Sequence, residues 1–199
     1  MVDVSYNFKI KLSDYQRVIA VADTQVHGRF HLAGSHAVTF DTDVLPYEIV
    51  RTWFCPPDKE DDEYVSGCDE KEFSLERLQD MDVSEAIAER GANYYRESRV
   101  LYLSVDNGCG RAIVAGGEYY TVEFEYADGM ISKLNCSCFC SYPCKHEFAA
   151  MLQLKETLEH ILKHYEETYT RSGYFAAVSK GTLFNYVLEG REMGSFTLE

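Results

Sequence analysis

The chain has 199 residues, 46% of them hydrophobic, which is enough for one large domain or two small ones with packed cores. Its 33 acidic residues against 19 basic ones give a net charge of −14, which excludes a broad phosphate-binding surface and restricts any nucleic-acid contact to a local patch. The sequence begins without a basic segment followed by an apolar one, and no apolar run approaches the length of a membrane span, so we expect a soluble cytoplasmic protein.

Residues 1–80 predict a β-rich module whose role the sequence does not indicate. Alternating apolar and polar side chains, or β-branched and aromatic residues, mark strands at residues 4–10, 27–32, 36–41 and 47–55. Gly34 and Ser35 form a turn signal between the second and third of these strands. Residues 56–71 start with two prolines, are strongly acidic and lack periodicity, which favours an exposed loop.

Residues 81–170 predict a second module. Asp82 followed by Glu85 matches a capping box, which predicts a helix over residues 83–97. Three strand-like segments follow it, RVLYLSV, RAIVAG and EYYTVEFEY, separated by the turn signals DNGCG and GGE and ended by ADG. We therefore expect a small antiparallel sheet that leads into the next segment of the chain.

That next segment holds a cluster of potential metal ligands within eleven residues: Cys136, Cys138, Cys140, Cys144 and His146. Zinc prefers four cysteine or histidine ligands in a tetrahedron, and two nearby pairs supply them at a low cost in loop-closure entropy. The cysteines lie too close together for an ordinary disulfide framework. Thiolates bound to Zn²⁺ in a reducing compartment explain the cluster better.

The rest of the chain predicts helices. Apolar residues recur at helical spacing from Phe148 to Tyr165, which indicates a long amphipathic helix that begins near Lys145 and holds His146 in its first turn. Apolar residues between Tyr174 and Leu188 favour a helical tail over residues 171–199. The predicted class is α+β: a β-rich amino-terminal module, then a small antiparallel sheet with a zinc finger and a long carboxy-terminal amphipathic helix.

Five potential ligands compete for four positions around the metal. One set consists of Cys136, Cys138, Cys144 and His146; the other replaces Cys136 by Cys140. The first set leaves five residues between the pairs, which gives the loop more room to turn around the ion, and we prefer it. Four protein ligands close the coordination sphere, which favours a structural metal over a catalytic one. We also expect the second ring nitrogen of His146 to have a hydrogen-bond partner.

A C-x-C pair, a spacer and a C-x-H pair that leads into an apolar helix resemble the SWIM-type zinc finger. The similarity extends upstream to RGANYYRESRV and IVAGGEYYTVEF and downstream to CKHEFAAMLQL, and covers about residues 85–165. The resemblance implies that Cys136, Cys138, Cys144 and His146 bind zinc; the short spacer and Cys140 depart from the commoner pattern. SWIM fingers occur in front of bacterial helicases of the chromatin-remodeller type, in transposases and in recombination-associated proteins, which implies a DNA-transaction context.

These observations favour a binding module over an enzyme. The leading hypothesis is an accessory module that docks onto a protein, such as a helicase motor, or onto DNA. No phosphate-binding loop of the G-x-x-x-x-G-K-[ST] type is present, so we expect no ATP hydrolysis by this chain. A catalytic zinc would need an open position and a base, for which Glu147 is the adjacent candidate. A third hypothesis is a redox sensor, in which oxidation of Cys136, Cys138 or Cys140 expels the metal.

Direct binding of single-stranded nucleic acid is the alternative to protein docking. The candidate surface consists of arginines that can grip phosphates and tyrosines that can stack on bases: Arg90, Arg96, Arg99, Arg111, Tyr94 and Tyr95. Tyrosines at helical and strand spacing are more often core residues, so we favour protein contact. The sequence indicates neither the partner nor the oligomeric state.

Overall fold

The computed structural model of the chain describes residues 71–140 and 143–179 with their side chains, and four strands of the amino-terminal part as backbone. These four strands are β1 (Asn7–Lys11), β2 (Arg17–Ala22), β3 (Arg29–Ala33) and β4 (Thr39–Asp41). β3 pairs with β1 in parallel and with β4 in antiparallel orientation. The predicted strand over residues 47–55 and the acidic loop predicted from residue 56 lie outside the described residues, apart from Lys71.

Seven strands form one sheet in the order β2-β10-β6-β7-β8-β9-β5, and all of its neighbouring pairs are antiparallel. Beyond β2, its members are β5 (Phe73–Ser74), β6 (Val100–Asp106), β7 (Cys109–Ala115), β8 (Tyr119–Ala127), β9 (Met130–Cys136) and β10 (Tyr174–Ser179). The three strands predicted after the first helix correspond to β6, β7 and β8 and are confirmed. The sheet is larger than predicted because β9, β10, β2 and β5 extend it.

Two tight turns explain why β6 to β9 run as a meander. Asn107 and Gly108 connect β6 to β7 with φ angles of 48° and 86°, and Asp128 and Gly129 connect β8 to β9 with 49° and 79°. Positive φ at both central residues is the mark of a type I′ turn, whose twist matches that of the flanking strands, and Asn-Gly and Asp-Gly adopt it most readily. The turn signals in the sequence are therefore confirmed.

Three α-helices complete the described part of the fold: α1 (Glu85–Arg96), α2 (Lys145–His164) and α3 (Glu166–Ser172). The predicted starts of α1 and α2 are confirmed to within two residues, but the predicted cap of α1 is wrong. Ser84 is the N-cap and accepts from the backbone of Ile87, whereas Asp82 has a left-handed conformation and pairs with Lys71 at 2.8 Å. Serine in the extended conformation next to the helix satisfies the backbone donors that Asp82 is too distant to reach.

The core lies between one face of the sheet and helix α2, with helix α1 packed along α2. Val105 and Val122 from the strands and Leu154 and Ile161 from α2 are fully buried there. Each such side chain contributes about 1.5–3 kcal/mol on burial, so this interface fixes where the first turn of α2 meets the sheet. Helices on one face of an antiparallel sheet confirm the α+β class. Among the described residues, no helix is long and apolar enough to cross a membrane.

The predicted helical tail is wrong at its start. Residues Tyr174–Ser179 form strand β10, which lies between β2 and β6. From Phe175 onward the strand is buried on both faces, so its apolar residues are continuous, and a short apolar run of this kind does not distinguish a buried strand from a helix. The sheet thus draws strands from all three predicted segments, 1–80, 81–170 and 171–199. Residues 180–199 lie outside the described part.

Candidate metal centre

The four predicted ligands of the preferred set come together where strand β9 ends and helix α2 begins. Cys136 is the last residue of β9, Cys138 follows two residues later, Cys144 is the N-cap of α2 and His146 lies in its first turn. All four side chains are buried, with exposed fractions of 1–3%. Their ligand atoms lie within 4.8 Å of one another. Among the described residues, these four form the group of side chains that could hold a metal ion.

A β-bulge turns Cys136 toward this group. The register of β8 and β9 shifts between Glu123 and Glu125, and Lys133 opposite the shift has a φ of 50°. One extra residue reverses which side chains face the core, so Leu134 and Cys136 lie on the same side as Ile131. Without the bulge, strict alternation from Ile131 would turn Cys136 away from helix α2.

The distances from His146 to two of the cysteines match those of a tetrahedral site. Nδ1 of His146 lies 3.6 Å from Sγ of Cys144 and 3.8 Å from Sγ of Cys136. Tetrahedral zinc with ordinary bond lengths places a ligand nitrogen about 3.6 Å from each ligand sulfur. Nδ1 is therefore the imidazole atom placed to act as a donor, and its distances to Cys144 and Cys136 are close to those of a tetrahedral site.

Backbone amides stabilise negative charge on each of the three sulfurs. The N–H of Cys138 hydrogen-bonds to Cys136, the N–H of Cys140 to Cys138, and the N–H of Glu147 to Sγ of Cys144 at 3.5 Å. Hydrogen bonds to a thiolate favour the charged form. The amide from Glu147 adds the partial positive charge of the helix N-terminus. The site is thus suited to three thiolates held by one cation.

The thiols also influence one another. Hydrogen bonds from Cys136 and Cys144 lower the pKa of Cys138. The pKa of Cys136 is raised, mainly by its hydrogen bond to Cys138, and the pKa of Cys144 is raised, mainly by its hydrogen bond to Cys136. Three adjacent thiols share protons in this way because neighbouring negative charges repel each other.

Glu147 caps the helix that carries the ligands. Its Oε2 accepts from the backbone N–H of Cys144, while Sγ of Cys144 accepts from the backbone N–H of Glu147, which completes a capping box. Glu147 is buried, with an exposed fraction of 5%. The carboxylate considered as a catalytic base is therefore engaged in fixing the start of α2.

Two tyrosines and a glycine hold the imidazole of His146. Tyr120 stacks on it, with ring centroids 4.2 Å apart and planes 20° apart, and Tyr94 contacts it edge-on at 5.5 Å. A Cβ on Gly116 would lie 2.7 Å from the ring of Tyr120 and 3.2 Å from Nε2 of His146. Nε2 is buried and has no hydrogen-bond partner among the described residues, so the polar partner expected for it is replaced by aromatic packing.

A second glycine brings helix α1 against the start of α2. A Cβ on Gly91 would lie 2.9 Å from the backbone oxygen of Lys145 and 2.9 Å from the side chain of Phe148. The close approach carries Tyr94, one turn further along α1, to the edge of His146. The motif RGANYY thus supplies both the approach and the ring, whereas the sequence alone assigned Tyr94 to a nucleic-acid surface. The roles of Gly91, Gly116 and Tyr120 were missed.

Cys140 lies outside the ligand group. Its thiol is exposed, and partial desolvation, together with its hydrogen bond to Cys138, raises its pKa. Its backbone amide, not its sulfur, contributes to the site. Of the two ligand sets that the sequence leaves open, the geometry favours the one with Cys136.

The residues predicted to bind nucleic acid do not form one surface. Arg90 and Arg96 are exposed on α1, and Tyr95 is half-buried against the core. Arg99 pairs with Glu97 at 2.6 Å and lies over the ring of Tyr94. Arg111, in strand β7, alternates with core residues and pairs with Glu123 at 3.6 Å on the sheet face turned away from α2. Two of the four arginines are thus engaged with carboxylates.

Comparisons with known proteins add no relative. No protein-family model, curated protein or solved structure matches this chain. The similarity to SWIM-type fingers accordingly rests on the sequence motifs quoted above and stays an expectation.

Proposed function

We propose that this protein binds one Zn²⁺ through Cys136, Cys138, Cys144 and His146 and acts as a zinc-stabilised interaction module. The observation that carries the proposal is the convergence of four buried donor atoms within 4.8 Å at the junction of β9 and α2. Three thiolates and one imidazole are soft and borderline donors, which suit zinc far better than magnesium or calcium.

The metal has a structural role in this proposal. Four protein donors leave no position for an activated water, and the nearest carboxylate, that of Glu147, is used in the capping box. Three thiolates and Zn²⁺ carry a formal charge of −1, which the amides described above and the adjacent Lys145 offset. Structural zinc contributes about 10 kcal/mol or more to folding in small zinc domains, so the connection between sheet and helix depends on the ion.

The module docks onto a protein of a DNA-transaction system in this proposal, such as a helicase motor. The resemblance to SWIM-type fingers supports the context. Among its motif residues, Tyr94, Gly116 and Tyr120 surround His146, and Gly91 allows helix α1 to approach the start of α2. A net charge of −14 favours a basic protein surface over a phosphate backbone. Direct single-strand binding is the weaker candidate because Tyr94 and Arg99 are already engaged with each other.

Metal analysis of the purified protein tests the site. We expect about one zinc per chain in the wild type, near none in a Cys144→Ser, His146→Ala double variant, and an unchanged content in Cys140→Ser and in the remote control Cys109→Ser. Zinc retained by the double variant contradicts the ligand assignment. A chelator should lower the melting temperature of the wild type and leave that of the double variant unchanged.

The class of partner is tested separately, by measuring binding to single-stranded DNA at two salt concentrations. Nucleic-acid binding predicts an affinity for single-stranded DNA that falls with added salt and falls further in an Arg90→Ala, Arg96→Ala variant. We expect no such binding at low salt. Binding that responds to both changes would contradict protein docking as the primary function.

A further inference from the structure

Helix α2 carries two further histidines, His160 and His164, at the end that lies away from the proposed zinc site. They are four residues apart, so their side chains are neighbours on one face of the helix. Their ring centroids are 4.6 Å apart, with the planes at 47° to each other. His160 is half-buried and His164 is exposed, so ions in solution can reach the pair. His146 lies about 21 Å away along the helix axis, which makes this pair independent of the zinc site.

The separation of the two rings suits imidazoles that share one metal ion. A nitrogen-to-metal bond of about 2.0–2.1 Å puts the centre of an imidazole about 3.2 Å from the ion. Two such rings in adjacent positions of a square-planar or octahedral coordination sphere have centroids about 4.5 Å apart. The separation of 4.6 Å is close to this value, so the pair can chelate an ion without a change in the helix backbone.

We propose that His160 and His164 form a second metal site, which takes an exchangeable divalent transition-metal cation. Pairs of histidines at this spacing on a helix bind Zn²⁺ in zinc enzymes, and imidazole also suits Ni²⁺ and Cu²⁺, whereas Mg²⁺ and Ca²⁺ prefer oxygen. An imidazole has two ring nitrogens, so one can bind the ion while the other keeps a hydrogen bond. Two protein donors leave the other positions to water, which explains why the ion exchanges more readily than at a four-donor site.

The electrostatic surroundings favour a cation at this end of the helix. His164 is the last residue of α2, where the helix dipole places partial negative charge. Glu156 lies one turn before His160 on the same face, and its carboxylate favours positive charge there. Burial lowers the pKa of His160, with smaller contributions from His164 and Lys163, and a lower pKa favours the neutral ring that binds metal.

Calorimetric titration with Ni²⁺ near neutral pH tests the second site. Every protein is first analysed for zinc, so that failure of the proposed zinc site is seen before any Ni²⁺ is added. We expect the wild type to bind Ni²⁺, and the affinity to fall about tenfold or more in His160→Gln and in His164→Gln, because either change removes the chelate. Glutamine favours the helix, and far-UV circular dichroism checks that α2 is retained.

A matched control keeps the number of histidines constant. The double variant His164→Gln, Leu162→His places the second imidazole two residues from His160, where it does not face that residue. Leu162 is exposed, so its replacement leaves the core unchanged. We expect this variant to bind Ni²⁺ as weakly as His164→Gln alone. Equal Ni²⁺ affinity in the wild type and His164→Gln, or wild-type affinity in the double variant, would overturn the second site.

Discussion

The ring of Tyr120 stacks on the imidazole of His146, with the centroids 4.2 Å apart and the planes 20° apart. Tyr120 lies on β8 and His146 on α2, so the contact joins the sheet to the helix at the ligand group. Because Nε2 of His146 has no polar partner among the described residues, ring packing holds the imidazole with Nδ1 directed at the cysteine sulfurs.

Gly116→Ala should weaken metal binding. Its Cβ would lie 2.7 Å from the ring of Tyr120 and 3.2 Å from Nε2 of His146, so the two rings must shift and Nδ1 moves with them. We expect a loss in zinc affinity of about tenfold or more, measured by competition with a chromogenic chelator. Gly117→Ala is the matched control because a Cβ there meets nothing within 4 Å. Equal affinity of the two variants would contradict this account of His146.

Gly91→Ala should destabilise the fold. The new methyl group would lie 2.9 Å from both the backbone oxygen of Lys145 and the side chain of Phe148, which forces α1 and α2 apart. Overpacking of this kind costs about 1–3 kcal/mol, so we expect a lower free energy of unfolding in urea titrations. Adding Phe148→Ala should cost somewhat less in the Gly91→Ala background than in the wild type, because it removes the ring atom Cδ1 at 2.9 Å, although the Cβ of residue 148 and the oxygen of Lys145 remain. Additive effects of the two changes would contradict a direct contact.

Glu147→Ala should destabilise helix α2 without abolishing metal binding. It removes the carboxylate that accepts a hydrogen bond from the N–H of Cys144. Loss of an N-terminal cap typically lowers the free energy of unfolding by about 1 kcal/mol. We expect a lower melting temperature and about one bound zinc per chain, since Glu147 is not a ligand. Glu147→Gln keeps an acceptor of similar shape and should recover most of the loss. Zinc-free Glu147→Ala protein would show that the residue does more than cap the helix.

Alkaline pH should destabilise the protein partly through Tyr169. Burial raises its pKa from the usual 10.0 to about 12, with a smaller contribution from Tyr126. Between these two values the unfolded chain loses the phenolic proton more readily than the folded one, so the free energy of unfolding falls as pH rises. The stabilisation is fully present below about pH 10 and is lost toward about pH 12.

Thermal unfolding between pH 9 and pH 12 measures this effect, with Tyr169→Phe as the comparison. We expect the melting temperature of the variant to fall less steeply with pH than that of the wild type. Tyr169 packs edge-on against Phe175, at 5.7 Å between ring centroids, and phenylalanine retains that contact. Parallel curves for the two proteins would contradict the raised pKa.

The local signals in the sequence determined a large part of this fold. The Asn107-Gly108 turn predicts the hairpin of β6 and β7 because its residues adopt positive φ at little cost. The apolar periodicity after Lys145 predicts helix α2 because a helix needs one continuous face to bury. The spacing of Cys136, Cys138, Cys144 and His146 predicts a metal centre because few other structures use four such donors in eleven residues.

Long-range packing decided the rest. Tyr174–Ser179 is a strand because β2 and β6 offer hydrogen bonds on both of its edges, which no local pattern reveals. Cys136 faces helix α2, and Cys140 does not join the ligands, because a bulge at Lys133 and the capped start of α2 set which sulfurs converge. The sequence by itself thus predicted a cluster of metal ligands; the tertiary structure decided which three thiols converge with His146 and why Tyr94, Tyr120 and Gly116 surround its ring.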